Sequence, residues 1–163
     1  MVESVAERDA EQGLEFFEQL PSAERREVTD ALVRSLAQSD FGQARQWFAS
    51  VPEADRGVDG YKALTSEWVK RDSMAASEWV GGLQPGTERD GAAVALVGEL
   101  IFGNTPDLDS AMEWAESIGD QGQRDSWLRT VFVRMVSENP EAGRKALRAS
   151  SLSEDAKRTL LEP

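Results

Sequence analysis

The feature that most limits what this chain can become is a pattern that returns about every 32 residues. It consists of an acidic residue, Ala or Gly four places on, an aromatic at seven and a branched aliphatic at eleven. The copies are Asp9, Gly13, Phe16 and Leu20; Asp40, Ala44, Trp47 and Val51; Asp72, Ala76, Trp79 and Leu83; and Asp107, Ala111, Trp114 and Ile118. A fifth, degraded copy begins at Asn139 with Gly143 and carries Ala146 in the aromatic place. Successive aromatic positions are 31, 32, 35 and 32 residues apart, and the Gly103 to Pro106 stretch accounts for the long third interval.

Within each copy the apolar residues fall at four, seven, eight and eleven, as in Ala44, Trp47, Phe48 and Val51, which is one face of a helix. The acidic residue precedes the first turn, where its carboxylate accepts from free backbone N–H groups and complements the helix dipole. Pro21, Pro52 and Pro85, or the Gly119 to Gly122 stretch, stop the helix. A second apolar helical pattern follows in every copy: Val28, Leu32 and Leu36; Tyr61, Leu64 and Trp68; Ala92, Leu96 and Leu100; Trp127, Val131 and Met135. Two helices joined by a short turn form an αα-hairpin, and a hairpin that cannot bury both faces alone must stack on its neighbours. The expected fold is therefore all-α, a right-handed α-solenoid of about four and a half αα-hairpin repeats forming one helical-repeat domain over residues 1–163. The hairpins are expected at about 9–39, 40–71, 72–105 and 106–138, with partial repeats at 1–8 and 139–163.

The motif D-x-x-x-A-x-x-W-x-x-x-[LVI]-P, followed by Arg, resembles the helical-repeat superfamily that includes tetratricopeptide and related short-hairpin repeats. The resemblance spans roughly residues 9–150 and is to the class, since no copy shows the W-x-x-L-G-x-x-Y signature of tetratricopeptide units. It implies a protein-binding scaffold. The termini fit the same phase: Val5 stands four residues before Asp9 as Leu36 stands before Asp40, and Leu160 and Leu161 match the early part of a second helix. Either degenerate half-repeats cap the array or the chain is a segment of a longer one, and the second is expected because neither end has the polar outer face that capping repeats need.

Composition narrows the chemistry. With 163 residues, 40% of them apolar, the chain can bury a continuous core. Eighteen Lys and Arg against 30 Asp and Glu give a net charge of −12, which repels nucleic-acid phosphate and anionic lipid at long range. Partners are therefore expected to be proteins or peptides, basic where charged, with no nucleic acid and no membrane insertion. The chain has no Cys and no His, which excludes disulfides, Cys-based metal or nucleophile chemistry and the usual general base near neutral pH. No cofactor and no metal are expected. No apolar run approaches the ~18 residues of a bilayer span, and the N-terminus lacks the basic start and apolar stretch of a signal peptide.

Individual features are assigned mostly to structure. The recurrent aromatics Phe16, Trp47, Trp79 and Trp114 are read as wedges between the two helices of their own hairpin and the next. Arg25 or Arg26, Arg56, Arg89 and Arg124 stand near the start of each second helix, where a cation opposes the dipole. Each therefore needs a partner, such as the carbonyls ending the first helix or the start Asp of a neighbouring hairpin. The Gly81 to Gly86 stretch lacks the Lys-Ser or Lys-Thr of a phosphate loop and reads as a turn. Asp107, Asp109 and Glu113 lack the further oxygen ligands and turn Gly of a calcium loop and read as helix-start charge.

The outward positions of the first helices are the expected contact surface. Glu15, Gln46, Glu78 and Glu113 precede the aromatic, and Glu18 and Glu116 lie two residues after it. Stacking aligns these into an acidic row, with Leu14, Met74 and Met112 beside it as off-stripe apolar residues. Such a surface suits a basic amphipathic segment. The functional expectation is a non-catalytic scaffold for proteins or peptides. Two alternatives stay open: a carboxylate-only enzyme or accessory hydrolase domain, using a pair such as Glu78 and Glu113, and a structural spacer within a longer repeat protein.

Overall fold

The computed structural model of the chain describes Phe17 and residues 19–161, the side chain of Ala23 excepted. Among these residues the fold is all-α, with nine α-helices and no strand. They are α1 (Ser22–Ser39), α2 (Phe41–Ser50), α3 (Val58–Val69), α4 (Ser73–Gly82), α5 (Thr87–Phe102), α6 (Leu108–Glu116), α7 (Gln121–Glu138), α8 (Pro140–Ala149) and α9 (Glu154–Leu161). Long helices α1, α3, α5 and α7 alternate with short helices α2, α4, α6 and α8.

Each short helix starts at the residue its sequence nominates. Asp40 accepts from Gln43 N–H, Asp72 from Ala75 N–H and Asp107 from Ser110 N–H, each at 3.0 Å. Asn139 plays the same part toward Ala142 N–H at 3.1 Å, with Pro140 in the first turn, where its missing donor costs nothing. The four capping residues share one extended backbone conformation, φ −131° to −157° with ψ 90° to 98°. Their own N–H groups close the preceding long helix: Asp40 donates to Leu36 O, Asp72 to Trp68 O and Asn139 to Met135 O, at 2.7 to 2.8 Å. Asp107 instead donates to Leu100 O at 2.9 Å, seven residues back, while Gly103 N–H caps Glu99 O at 2.8 Å. The three extra residues of the longest sequence interval thus leave as a bulge after α5 and do not disturb the next helix start.

The small residue of each copy lies at the tightest contact. Ala44, Ala76 and Ala111 are all 0% exposed, as are Val80, Ala115 and Leu147 at the position four residues further on, where Phe48 is 2% exposed. Gly143 is buried too, and a Cβ there would stand 2.6 Å from Val136 Cγ2 and 2.8 Å from Val136 N, so α8 approaches α7 closer than Ala permits. Successive long helices also pack directly, α1 on α3, α3 on α5 and, less closely, α5 on α7. The α3–α5 seam needs Gly91, since a Cβ on it would stand 2.4 Å from Val58 Cγ1.

Polar groups on the long helices grip the turn of the following hairpin. Asp30 accepts from Gly57 N–H at 3.2 Å and Gly60 N–H at 2.9 Å, and Asp90 accepts from Gly119 N–H at 2.8 Å and Asp120 N–H at 2.9 Å. Arg26 donates to Ala54 O at 2.6 Å and Arg89 to Ser117 O at 2.9 Å. Arg25 pairs with buried Asp55 at 2.9 Å. The rotation of α1 that brings Asp30 to the turn differs from the expected one. Thr29, Val33 and Ala37 are the buried stripe at 0% exposure, whereas Leu32 is 44% exposed and Val28 and Leu36 are half-buried.

Two substitutions test this packing. Gly143→Ala forces backbone displacement and is expected to lower the unfolding free energy by about 1–3 kcal/mol, while Gly122→Ala, whose Cβ meets Asp120 Oδ1 at 3.5 Å, costs nothing measurable. Equal unfolding midpoints for the two variants in urea would refute the close approach of α7 and α8.

Burial raises the Asp30 carboxyl above the usual carboxylate range, with Asp59 adding to the rise, although the N–H groups of Gly60 and Gly57 and the charge of Arg34 draw it back. The folded state therefore binds this proton more tightly than the unfolded chain, so the Asp30 contribution grows more favourable as pH falls through the folded-state titration. Glu67 and Asp107 have the opposite sign. Burial pushes Glu67 up, but bonds from Arg71 and Lys70 outweigh it, and Asp107 is held down by the N–H and hydroxyl of Ser110. Stability from those two groups is present above the unfolded-state titration and is lost as pH falls through the folded-state one. Relative to Asp30→Asn, the wild-type chain is expected to gain stability between about pH 7 and about pH 4. A stability difference independent of pH, measured by urea unfolding, contradicts the assignment.

Candidate functional site

Because the aromatic stands one residue before the position that meets the second helix of its own hairpin, it points about 100° away round the helix. Phe48 faces Tyr61 of α3 edge-on, with centroids 4.9 Å apart, within its own hairpin. Trp79 instead packs back on the preceding long helix, stacked on Tyr61 at 5.9 Å and tilted against Trp68 at 5.4 Å. Trp47 meets Phe17 edge-on at 6.4 Å, and Trp114 lies 3.9 Å from where a Cβ on Gly81 would be. The expected wedge toward the next hairpin is thus corrected: these indoles fill space toward the preceding one. Phe16 lies outside the described residues.

The bulk of Trp79 leaves a groove between α2 and α4 of about 530 Å³. Its floor is Tyr61, Leu64 and Trp68 of α3, with Phe48 beneath, and its α4 wall is Trp79 and Leu83. The α2 wall is Gly42, Arg45, Gln46 and Ala49, with Arg56 at the end. Arg45 lies over the Trp68 ring at 5.2 Å from its centroid, and Arg56 over Phe48 at 5.4 Å. The two cations differ in freedom. Arg56 is anchored by donating to Val51 O at 2.8 Å and Ala49 O at 2.9 Å, which closes the end of α2. Arg45 is exposed, and its guanidinium lies over an indole face. Among the described residues no carboxylate lines this groove, so the chemistry they offer is apolar contact, ring stacking and anion recognition.

The other sequence-nominated arginines meet carbonyls. Arg25 donates to Leu20 O at 3.2 Å and Arg124 to Ile118 O at 2.8 Å, both at the end of a first helix, as that position requires. Arg89 reaches the following hairpin and also lies 6.0 Å over Trp114.

The residues nominated for partner contact do not share one fate. Leu14, Glu15 and Glu18 lie outside the described residues. Gln46 lines the α2–α4 groove, and Glu78 and Glu113, its counterparts on α4 and α6, are exposed. Met74 is 74% exposed, whereas Met112 is half-buried and packs on the core. Glu116 accepts from Ser151 N–H at 2.8 Å across to the turn after α8, so it joins hairpins instead of facing a partner. The aromatic floor was present in the sequence as Tyr61, Trp68 and Trp79. Arg45 stands two residues before a repeat aromatic, but its meeting with Trp68 depends on the approach of α2 to α3.

No family model matches the chain, and no curated protein or solved structure is similar to it at a significant level.

The aromatic cluster has a measurable structural role separable from Arg45. Trp79→Ala is expected to cost about 2–4 kcal/mol through loss of packing on Tyr61 and Trp68, whereas Arg45→Ala should cost under about 1 kcal/mol because the cation is exposed. Thermal unfolding followed by near-UV circular dichroism compares them, and an equal loss in both variants contradicts the division between floor and edge.

Proposed function

We propose that the chain is a right-handed α-solenoid of the tetratricopeptide-like class, acting as a non-catalytic scaffold that binds protein segments between successive short helices. The observation that carries the reading is the α2–α4 groove, with Tyr61, Leu64 and half-buried Trp68 as its floor, half-buried Trp79 as a wall and exposed Arg45 over the Trp68 ring at its edge. Recurrence supports it as well. The same cap conformation begins α2, α4, α6 and α8, and Gly81 faces Trp114 from the place on α4 that Ala49 occupies on α2. An array of this kind presents a series of related grooves whose edge residues differ from one hairpin to the next.

The groove chemistry selects an extended segment that places an aliphatic or aromatic side chain on Trp68 and Trp79 and a carboxylate beside Arg45. This replaces the expectation of a basic ligand at this groove. A second reading keeps the basic segment for the next interval along the array, favoured by the exposure of Glu78 and Glu113.

A panel of short peptides with Leu or Phe beside Asp or beside Lys tests both. The Asp-bearing peptides should shift the tryptophan emission on binding, and Arg45→Glu should weaken them about tenfold, equivalent to about 1.4 kcal/mol. Glu78→Lys should leave those peptides unaffected and weaken only Lys-bearing ones. A panel in which no peptide binds, or in which Arg45→Glu and Glu78→Lys change nothing, defeats the groove assignment.

A further inference from the structure

The seam between α5 and α7 closes at one end and stays open at the other. At Gly98 the Trp127 ring closes it, 3.6 Å from where a Cβ on Gly98 would stand. One turn further along α5, Phe102 does not continue the contact and is 68% exposed. Across from it Val133 of α7 is 61% exposed. Phe102, Thr130, Val133, Arg129 and Arg134 line a shallow, mostly apolar furrow of about 530 Å³. Single exposed apolar residues are ordinary on a protein surface, but two lining one furrow in a seam otherwise closed by packing leave an unfilled helix–helix position.

Charge identifies what fills it. Residues 121–161 carry eight Lys and Arg against five Asp and Glu, whereas residues 1–120 carry ten against twenty-four. The charged side chains that line the furrow are both cations on its α7 wall, Arg129 and Arg134, in a chain of net charge −12. Arg129 and Arg134 flank it and are both exposed, Arg134 sharing its Nε with Glu138 at 2.9 Å. A second copy of the chain, itself of net charge −12, or an anionic lipid surface overlaps more of the acidic surface beyond Arg129 and Arg134 than a short helix does. A short helix meets only the field within about 8 Å, the Debye length at physiological salt.

We propose that the α5–α7 furrow is a docking surface for an acidic amphipathic helix of a partner protein, distinct from the α2–α4 groove. The apolar stripe of the helix lies on Phe102 and Val133, and its flanking carboxylates face Arg129 and Arg134. The α7 lining of the furrow runs from Arg129 to Ser137, about 12 Å, which matches two turns of such a helix.

The test uses the full chain and a fluorescent, end-capped 18-residue peptide, the length being about five helical turns, with Leu and Phe at i, i+3, i+4 and i+7 and Glu on either side. Its partner peptide has Lys in place of Glu. Fluorescence anisotropy is expected to show saturable binding of the Glu peptide, weakened at least about tenfold by Val133→Ser, by Arg129→Glu and by exchange of Glu for Lys in the peptide. Both substitutions sit at exposed positions, and circular dichroism checks that the fold is retained. Arg45→Glu should leave this binding unchanged, which separates it from the α2–α4 groove. The proposal is overturned if the Glu peptide fails to bind, if the Lys peptide binds as well, or if Arg45→Glu is the variant that abolishes binding. It is also overturned if Val133→Ser abolishes only self-association in sedimentation, which assigns the furrow to a second copy. Loss in that variant of binding to phosphatidylserine vesicles alone assigns it to lipid and has the same consequence.

Discussion

The approach of α3 to α5 carries much of what surrounds it. A residue larger than Gly at position 91 would collide with Val58, and the flanking Ala92 and Ala93 are fully buried in the same seam. With so little side-chain volume between them the two long helices pack closely, and their hairpins come into register. The short helices cannot close up to the same degree, because the indole of Trp79 stands in the space behind α4. Small residues between long helices and large ones behind short helices thus produce both the close packing of α3 on α5 and the groove.

Many of the charges at repeat positions are committed to backbone groups. Asp40, Asp72, Asp107 and Asp120 accept from the first turns of helices, and Asp30, Asp90 and Glu116 accept from the turns of neighbouring hairpins. Arg25, Arg56 and Arg124 do the converse at carbonyls that end helices. Both uses satisfy orphan backbone groups that a repeat of short helices generates in large number. Net charge is therefore a poor guide to the ligand of any one groove. The α2–α4 groove, in a chain of charge −12, is edged by arginines.

The helices and their start points were legible in the sequence because a cap is a local event. Asp40 needs only the next three residues to do its work, and the same holds at Asp72, Asp107 and Asn139. Arg25, Arg56 and Arg124 were legible for a similar reason, since a cation near a helix start needs a carbonyl and the end of the previous helix is within reach, whereas Arg26 and Arg89 reach carbonyls 28 residues on. The direction of Trp79 was not legible. Apolar positions at seven and eight both read as core, and only the placement of α3 decides which meets its own hairpin and which the preceding one. Glu116 and the rotation of α1 were missed likewise, because their partners, Ser151 and the Gly57 to Gly60 turn, are 35 and about 30 residues away.

By itself the sequence determined that the chain is helical, where each short helix begins, and that a small residue and an aromatic recur on the first helix of each of the four full copies. Those are consequences of spacing and local hydrogen bonding, which act within a few residues. Tertiary structure alone decided which faces the long helices turn inward, which carboxylates are taken up between hairpins, and that Arg45, Trp68 and Trp79 edge one groove. Each of these depends on helices far apart in the chain meeting at a distance set by Gly and Ala on one side and Trp on the other.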